Sequence, residues 1–383
     1  MFAVIRSRAA GLRAALGAIA VGVLVAFAAR GALASEPVSA HHPWPSESAV
    51  ARPHLEAPAV PQPREIRLPN QPASQLLFTS KELTVPPRVR LIVFAPHPDD
   101  ETLAAGGLIQ RVLGSGGAVR VVFVTNGDGY VDGVRREVQR IHTSTLDFIE
   151  YGRRRHDEAL RALHHFGIPP SDGIFLGFPD DGIDDLWAGH WSPQRPYTSP
   201  YTRSDRPPYK DSLSQHVEYA GADLESEIER TLRDFAPEWV LMPDPRDRHP
   251  DHCTTGVFVL DALRRLRQER SAPFDRTQVF TYLVHYPDYP ASSAWVREIA
   301  GAGVGGSLTA GRVLSAAHWL HLALTSTELA GKRNAVAEYH SQIQVMNPFL
   351  KQFLRTFELF GQLDATQVTG VADEYAARFH RPR

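Results

Sequence analysis

Short apolar runs alternate with amphipathic segments along most of this chain, and this alternation constrains its fold more than any other feature. Residues 90–95 and 119–124 are largely apolar runs rich in β-branched residues, which is typical of buried parallel strands. The same patterns predict strands at 174–176, 239–242 and 279–284 and helices at 102–113, 154–166, 224–235, 254–267 and 326–345. Strands and helices in alternation indicate an α/β fold with a doubly wound, mostly parallel sheet in a Rossmann-like three-layer arrangement.

The charge balance argues against a nucleic-acid partner. The 383 residues carry a formal net charge of −2, and four of the 41 basic residues lie within the first 34 positions, where no acidic residue occurs. The rest of the chain is therefore more acidic than the total indicates. Such a body lacks the basic footprint that binding to a phosphate backbone requires.

The N-terminus has the three parts of an export signal. Three arginines precede an uncharged run at residues 14–29, and Ala32-Leu33-Ala34 then supplies a small-residue cleavage pattern before Ser35. A membrane span needs about 20 apolar residues, so this run is short for one. We expect a cleaved signal peptide and a periplasmic or secreted protein. An uncleaved anchor, with membrane association only through this segment, is the alternative.

A proline-rich stretch separates the export signal from the α/β pattern. Prolines recur throughout residues 36–75, and each one removes a backbone donor that a helix or sheet would need. The predicted organisation is therefore a signal peptide at 1–34, an extended linker at 35–87 and one α/β domain at 88–383.

The first chemical motif follows the first predicted strand and reads Pro96-His97-Pro98-Asp99-Asp100-Glu101. Ligands of open α/β sheets bind at the carboxyl ends of the strands, which is where this motif lies. His97 and Asp100 are three residues apart at a strand-to-helix turn, so both can reach one metal ion. Asp99 would then be free to act on a bound water.

A second motif of the same kind follows the predicted strand at 239–242. Asp247-Arg248-His249-Pro250-Asp251-His252 again combines His, Pro and Asp in a tight turn. Either motif alone is also typical of a helix start, where Asp, Glu and Pro are common. Two such clusters at equivalent strand ends favour a shared site instead. Nitrogen and oxygen ligands with one open position are typical of catalytic zinc.

With both motifs present, residues 88–345 resemble the LmbE/PIG-L family of zinc-dependent N-acetylglucosaminyl deacetylases. The resemblance rests on His97-Pro-Asp-Asp-Glu101 and His249-Pro-Asp-His252. Weaker matches are Arg155-x-x-Glu158, Leu176-Gly-Phe-Pro-Asp180 and Lys332-x-x-Ala335-x-x-x-Tyr339-x-Ser341-Gln342.

The resemblance implies a role for each site residue. It implies one zinc ion per chain, with another divalent metal as the alternative, held by His97, Asp100 and His252. It makes Asp99 the general base. It gives His249 the task of protonating the leaving amine or steadying the oxyanion, with Asp251 orienting it. It also places Arg155 and Asp180 against the sugar, although neighbours of both offer the same side chains.

These residues predict a hydrolase that removes an acyl group from an N-acyl amino sugar or glycoconjugate by zinc-activated water. A zinc amidase for larger amide conjugates and a non-catalytic carbohydrate-binding module on the same fold are the alternatives. The long, aromatic-rich segment 183–222 is expected to shape the pocket for a small-molecule or glycan substrate. The absence of a G-x-G-x-x-G turn after the first strand disfavours dinucleotide binding.

The export hypothesis predicts the N-terminus of the mature protein. N-terminal sequencing of protein recovered from the cell envelope or medium should begin at or near Ser35, because cleavage follows the small-residue pattern. Membrane-bound protein that begins at Met1 would contradict cleavage and favour the anchor.

Overall fold

An eight-stranded sheet forms the centre of the described part of the protein. The computed structural model describes residues 81–269, 274–286, 318–364, 366–368 and 370. The strands are β1 (Lys81–Glu82), β2 (Arg90–Ala95), β3 (Ala118–Thr125), β4 (Gly173–Phe178), β5 (Trp239–Pro243), β6 (Gln278–Tyr282), β7 (His318–Ala323) and β8 (Phe357–Leu363). Only the pairings of β8 with β6 and β7 are antiparallel. The predicted α/β class with a mostly parallel sheet is confirmed.

Helices cover both faces of this sheet. They are α1 (Asp100–Gly114), α2 (Val131–Val138), α3 (Thr145–Phe166), α4 (Ile183–Ala188), α5 (Gly221–Phe235), α6 (Pro250–Gln268), α7 (Ser326–Val336) and α8 (His340–Lys351). Side chains of β2 alternate between the two faces, as the strand period of two requires. Leu91 and Val93 pack in one core with α1 and α3, whereas Ile92 and Phe94 pack in the other with α5 and α6.

The strand order places a crevice between β2 and β5. The order across the sheet is β1-β7-β8-β6-β5-β2-β3-β4. From β2 the chain proceeds to β3 and β4 on one side, and it later returns to add β5 and β6 on the other. Ligands of open α/β sheets bind at such a reversal, outside the carboxyl ends of the strands. Both sequence motifs follow strands that border this reversal.

The predicted helix at 326–345 is instead two helices. The capping box of Thr325 and Glu328 is present at the start of α7, but the helix ends at Val336 and α8 begins at His340. Tyr339, between them, is fully buried, and its hydroxyl donates to Glu101. The break lets this side chain reach the first motif, a tertiary contact that helical periodicity does not reveal.

Three further features differ from the sequence prediction. The short helices α2 and α4 and the strands β7 and β8 were not predicted, and the folded domain extends before residue 88. Lys81–Glu82 pairs with β7, and Leu83 donates its N–H to His321 O at 2.8 Å, so the end of the expected linker belongs to the sheet. A two-residue polar strand leaves no apolar run to detect. The predicted signal peptide and the rest of the linker lie outside the described residues.

Within the described part of the chain, no helix is long and apolar enough to cross a membrane.

A buried ion pair joins β8 to the helices beside it. Lys332 Nζ lies 2.7 Å from Glu358 Oε1, and both side chains are only 1% exposed. The same carboxylate accepts the backbone N–H groups of Gly107 and Leu108, each at 2.8 Å. Removal of one partner of a buried pair leaves an uncompensated charge, which is far more costly than loss of a surface pair.

We expect Glu358→Ala to lower the free energy of unfolding by about 3–5 kcal/mol, because Lys332 would stay buried without its partner. Glu150→Ala removes the exposed partner of Arg153 and should cost about 0–1 kcal/mol. Urea unfolding of both variants measures the difference. Equal, small losses would show that the buried pair contributes little.

Candidate active site

The two motifs meet at the carboxyl ends of β2 and β5, which pair in parallel. The first motif forms the turn from β2 into α1, and the second forms the turn from β5 into α6. Proline at the first position of α6 suits a helix start, since its missing N–H has no partner there. The turns line a cavity of about 310 Å³, and this places the motif side chains within contact distance of one another.

Three donor atoms converge at this point. His97 Nδ1 lies 3.2 Å from Asp100 Oδ2, and His252 Nε2 lies 3.2 Å from the same oxygen. The two ring nitrogens are 3.3 Å apart. The three atoms therefore form a nearly equilateral triangle from three buried side chains.

This triangle fits one face of a tetrahedral zinc site. With zinc–ligand bonds of about 2.0–2.2 Å, neighbouring ligand atoms of a regular tetrahedron are separated by about 3.3–3.6 Å. The observed separations of 3.2, 3.2 and 3.3 Å lie at or just below the lower end of that range. Two imidazole nitrogens and one carboxylate oxygen are also a donor set that zinc commonly takes. The residues present fit a divalent metal without rearrangement.

Carboxylates also contact the outer nitrogens of both histidines. His97 Nε2 lies 3.0 Å from Asp180 Oδ1 and 3.2 Å from Asp251 Oδ2. His252 Nδ1 lies 3.5 Å from Asp247 Oδ2. A carboxylate behind a ligating imidazole fixes the orientation of its ring and makes its inner nitrogen a better ligand. The arrangement holds both inner nitrogens toward one point.

The electrostatics favour a positive charge at the same point. Burial opposes protonation of His252, but Asp100 and Asp247 outweigh it and raise its pKa to about 9. For His97, burial is likewise outweighed, mainly by Asp180 and Asp100, so its pKa is well above the usual range. A cation between the rings would balance the same carboxylates while leaving both imidazoles neutral.

A second set of donors is less suited to a metal. Ligand atoms of His97, His249 and Asp251 also lie within 4.8 Å of one another. However, both oxygens of the Asp251 carboxylate already accept backbone N–H groups, from Asp181 at 2.7 Å and Ile183 at 3.1 Å, whereas the Asp100 carboxylate accepts only that of His97, at 2.9 Å, among the hydrogen bonds of the described residues. The triangle of His97, Asp100 and His252 is therefore the better candidate.

Asp99 lies beside this triangle in a strained backbone conformation. Its φ is 135° and its ψ is −29°, a region that residues with a side chain rarely adopt and that costs about 1–3 kcal/mol. Burial raises the pKa of its carboxyl to about 8, although Arg155 at 3.5 Å opposes the shift. A buried carboxylate with a raised pKa is a better proton acceptor near neutral pH than an exposed one.

His249 presents one ring nitrogen as a donor. Its Nδ1 accepts the backbone N–H of Asp251 at 3.2 Å, so the proton of the neutral ring is on Nε2. Burial and the neighbouring His97 lower its pKa, which favours this neutral form. The ring lines the cavity and lies 4.9 Å from the ring of His97.

Asp251 contacts both His97 and His249. Its carboxylate lies 3.2 Å from His97 Nε2 and accepts the amides of Asp181 and Ile183, and its backbone N–H donates to His249 Nδ1 at 3.2 Å. That Asp251 orients His249 stays a prediction, and the backbone N–H is the contact that would do so.

Arg155 and Asp180 both line the cavity, where a substrate role for them stays a prediction. Arg155 donates to Pro98 O at 2.7 Å and Gly127 O at 3.0 Å, and Asp180 accepts the N–H of Gly129 at 2.6 Å. Of the neighbours that left the sequence assignment open, Arg153 and Arg154 are exposed and pair with Glu150 and Glu137. Asp181 lines the cavity beside Asp180 and accepts the hydroxyl of Tyr201 at 2.7 Å, so the choice between the two aspartates stays open.

One wall of the cavity was missed by sequence reasoning. Gln342, Met346 and Phe349 of α8 line it, together with His285, which follows β6 and stacks on Phe349. The α8 residues that line the cavity recur at helical spacing, but any helix that faces a core shows the same spacing, so the pattern does not predict a cavity wall. Of these residues, only Gln342 belongs to one of the weaker family matches, so only Gln342 could have been predicted from the sequence to lie near the site.

The segment 183–222 packs behind the loops that border the cavity and does not line it. None of its residues is among the lining side chains, although the whole segment is described. Instead Tyr209 donates to buried Asp128, and Tyr201 donates to Asp181. Trp187 packs against Phe258 in the core. That this segment shapes the pocket stays a prediction, and it could do so only indirectly, through loop residues that it contacts, such as Asp181.

Comparison with known proteins identifies the domain that carries this site. Residues 92–263, which span both motifs, match the family model described as PIG-L: GlcNAc-PI de-N-acetylase. This part of the chain is therefore similar to the PIG-L family.

Relatives of known sequence and structure are similar over part of their length. A 1D-myo-inositol 2-acetamido-2-deoxy-alpha-D-glucopyranoside deacetylase of Mycobacterium sp. (strain KMS) is 30% identical over 46% of this chain and 50% of its own. One from Gordonia bronchialis is 33% identical over 47% of this chain and 58% of its own. The chain thus spans little more than half the length of these relatives. N,N'-diacetylchitobiose deacetylase from Pyrococcus horikoshii overlaps 72% of this chain and 83% of its own, with a TM-score of 0.40 and 17% identity.

The donor triangle predicts which substitutions abolish metal binding. His97→Ala, Asp100→Ala and His252→Ala should each reduce bound metal from about one ion per chain to near zero, because each removes one of three protein ligands. His249→Ala should retain the ion. Elemental analysis of folded, dialysed protein measures both. Metal lost from His249→Ala but kept in His252→Ala would assign the second donor set instead.

Proposed function

We propose that this protein is a metal-dependent hydrolase that removes an acetyl or related acyl group from the nitrogen of an amino sugar. The observation that carries the proposal is the triangle of His97, Asp100 and His252 with the Asp99 carboxylate beside it, inside a cavity. The similarity of residues 92–263 to the PIG-L family model and to relatives named as deacetylases of an acetamido sugar supports the same chemistry.

We propose zinc as the metal, with one ion per chain, because two imidazoles and one carboxylate leave a tetrahedral ion one open position. Another divalent metal with the same coordination would serve as well. When bound, the ion would make a water more acidic and polarise the amide carbonyl. The remaining steps belong to the side chains.

Asp99 accepts the proton of the attacking water in this proposal. Its buried carboxylate has a raised pKa, and it lies beside Asp100 without sharing the metal. Arg155, 3.5 Å away, keeps the charged form available despite the burial. The strained turn fixes the direction of the carboxylate before substrate arrives, so no reorganisation is needed during the reaction.

In this proposal, His249 acts on the amide group of the substrate. With its proton on Nε2, the neutral ring donates a hydrogen bond to the oxygen that becomes negative when water adds to the carbonyl. It can then pass a proton to the nitrogen, which leaves poorly as an anion. The neutral form supports the first task directly. For the second, the ring must first gain a proton and become an imidazolium, and the proton that Asp99 takes from the water supplies it, so that no proton is gained or lost overall.

The cavity favours a small, uncharged substrate. Its volume of about 310 Å³ is at the lower end of the range for ligand pockets. Four aspartates and one arginine are among its charged lining residues, so an anionic group beside the amide would be repelled. An N-acyl amino sugar suits these properties better than the alternative, a larger amide conjugate. A non-catalytic binding module would not need Asp99 in a strained, buried turn.

We also propose that the protein acts outside the cytoplasm, on the strength of the arginine, apolar and small-residue pattern that precedes Ser35.

The proposal predicts metal-dependent release of acetate. Zinc-loaded protein should release acetate from N-acetylglucosamine or a chitooligosaccharide, and chelation should abolish the release. Asp99→Asn should keep its metal but lose kcat by on the order of a hundredfold, since the amide cannot accept a proton. Acetate assays and elemental analysis of the same samples measure these outcomes.

Asp172→Asn is a matched control, because Asp172 pairs with Arg120 at the surface and should leave kcat unchanged. Turnover of larger amide conjugates alone would favour the amidase. Binding of sugars without any turnover would favour the binding module.

A further inference from the structure

The backbone of Asp99 is held in its unfavourable conformation by a carboxylate from its own turn. The Asp99 N–H, at φ 135°, donates to Glu101 Oε2 at 3.2 Å. Glu101 is fully buried, so this acceptor does not compete with water. Because an amide bonded in this way cannot rotate freely, Glu101 fixes the direction in which the Asp99 side chain leaves the turn.

The other oxygen of Glu101 is held by two hydroxyl groups. Thr102 Oγ1 donates to Glu101 Oε1 at 2.5 Å, and the hydroxyl of Tyr339 donates to the same oxygen. The two hydroxyl oxygens lie 3.3 Å apart. Tyr339 has no exposed surface. It follows Glu101 by 238 residues in the sequence, so this hydrogen bond is a long-range tertiary contact.

The break between α7 and α8 places Tyr339 at this position. Two residues later, Ser341 donates its backbone N–H and its hydroxyl to the two oxygens of buried Glu158, at 3.0 and 2.6 Å. The break is thus anchored on both sides of residue 340. Glu101 and Tyr339 are not among the residues that line the cavity, so any effect of theirs on the reaction must pass through a neighbour that does. Asp99 is the lining residue to which Glu101 is directly hydrogen-bonded.

We propose that Tyr339 and Glu101 are positioning residues for the general base: the hydroxyl of Tyr339 fixes the Glu101 carboxylate, which fixes the backbone of Asp99. The inference rests on the proposed function, in which Asp99 accepts the proton of water. The segment between α7 and α8 would thus help to position the general base, although Tyr339 and Glu101 are 238 residues apart in sequence.

Removal of the Tyr339 hydroxyl tests this link. Tyr339→Phe should lower kcat about tenfold and leave KM and bound metal unchanged, because small displacements of a catalytic group reduce turnover without changing substrate contacts. Glu101→Gln keeps a carbonyl oxygen for the Asp99 N–H, so it should retain more kcat than Glu101→Ala. The readouts are acetate release and elemental analysis. A KM that rises in proportion to the loss of turnover would contradict positioning.

Tyr282→Phe is the matched control. Tyr282 is also buried, and its hydroxyl donates to Phe94 O at 2.8 Å, on the strand that precedes the same turn. It has no contact with Glu101 among the hydrogen bonds of the described residues. Each variant loses a buried hydroxyl hydrogen bond, and the loss of stability should be smaller in Tyr282→Phe, because its acceptor is a neutral carbonyl and not a carboxylate. An equal fall of kcat in Tyr282→Phe would show that the effect of Tyr339 is only structural.

A double substitution decides whether Tyr339 acts through Asp99. In Asp99→Asn protein, Tyr339→Phe should cause no further loss of residual kcat, because the group being positioned has gone. Losses that multiply would overturn the proposal. Should Tyr339→Phe fail to fold, Glu101→Gln in the two backgrounds gives the same reading. A wild-type protein without acetate release would overturn the proposed function and this inference together, whereas wild-type activity with unchanged Tyr339→Phe would overturn the inference alone.

Discussion

The parallel pairing of β2 with β5 is the constraint on which the rest of the site depends. Leu91 to Val93 are in register with Trp239 to Leu241, so the turns that follow the two strands face each other across a few ångströms. Only this adjacency brings His252 within 3.3 Å of His97, although the two are 155 residues apart in sequence. A slip of this register would separate the donor atoms and remove the site.

The pairing of β2 with β5 also concentrates negative charge around His97 and His252. Asp100, Asp180, Asp247 and Asp251 are all buried around two imidazoles. Buried carboxylates are unfavourable unless cations or hydrogen-bond donors compensate them. Backbone N–H groups satisfy part of this need, at Asp251 and Asp247, and a divalent cation would satisfy the rest. The same features that make the apoprotein electrostatically costly therefore favour metal binding.

Sequence patterns predicted the central strands and the two motifs because those features are local. Continuous apolar runs identified β2, β3 and β5, and repeated His-Pro-Asp turns identified the candidate ligands. Long-range contacts could not be predicted in this way. The bond from Tyr339 to Glu101, the carboxylate of Asp251 behind His97 and the α8 wall all depend on tertiary packing. Strand β1 was missed because its two residues are polar and exposed.

The position of a bound metal would show whether His97, Asp100 and His252 are its ligands. Anomalous diffraction from zinc-loaded crystals, recorded on both sides of the zinc absorption edge, locates the ion independently of activity. We expect one peak about 2.0–2.2 Å from His97 Nδ1, His252 Nε2 and an Asp100 carboxylate oxygen. A peak between His249 and Asp251, or no peak in this cavity at saturating zinc, would contradict it.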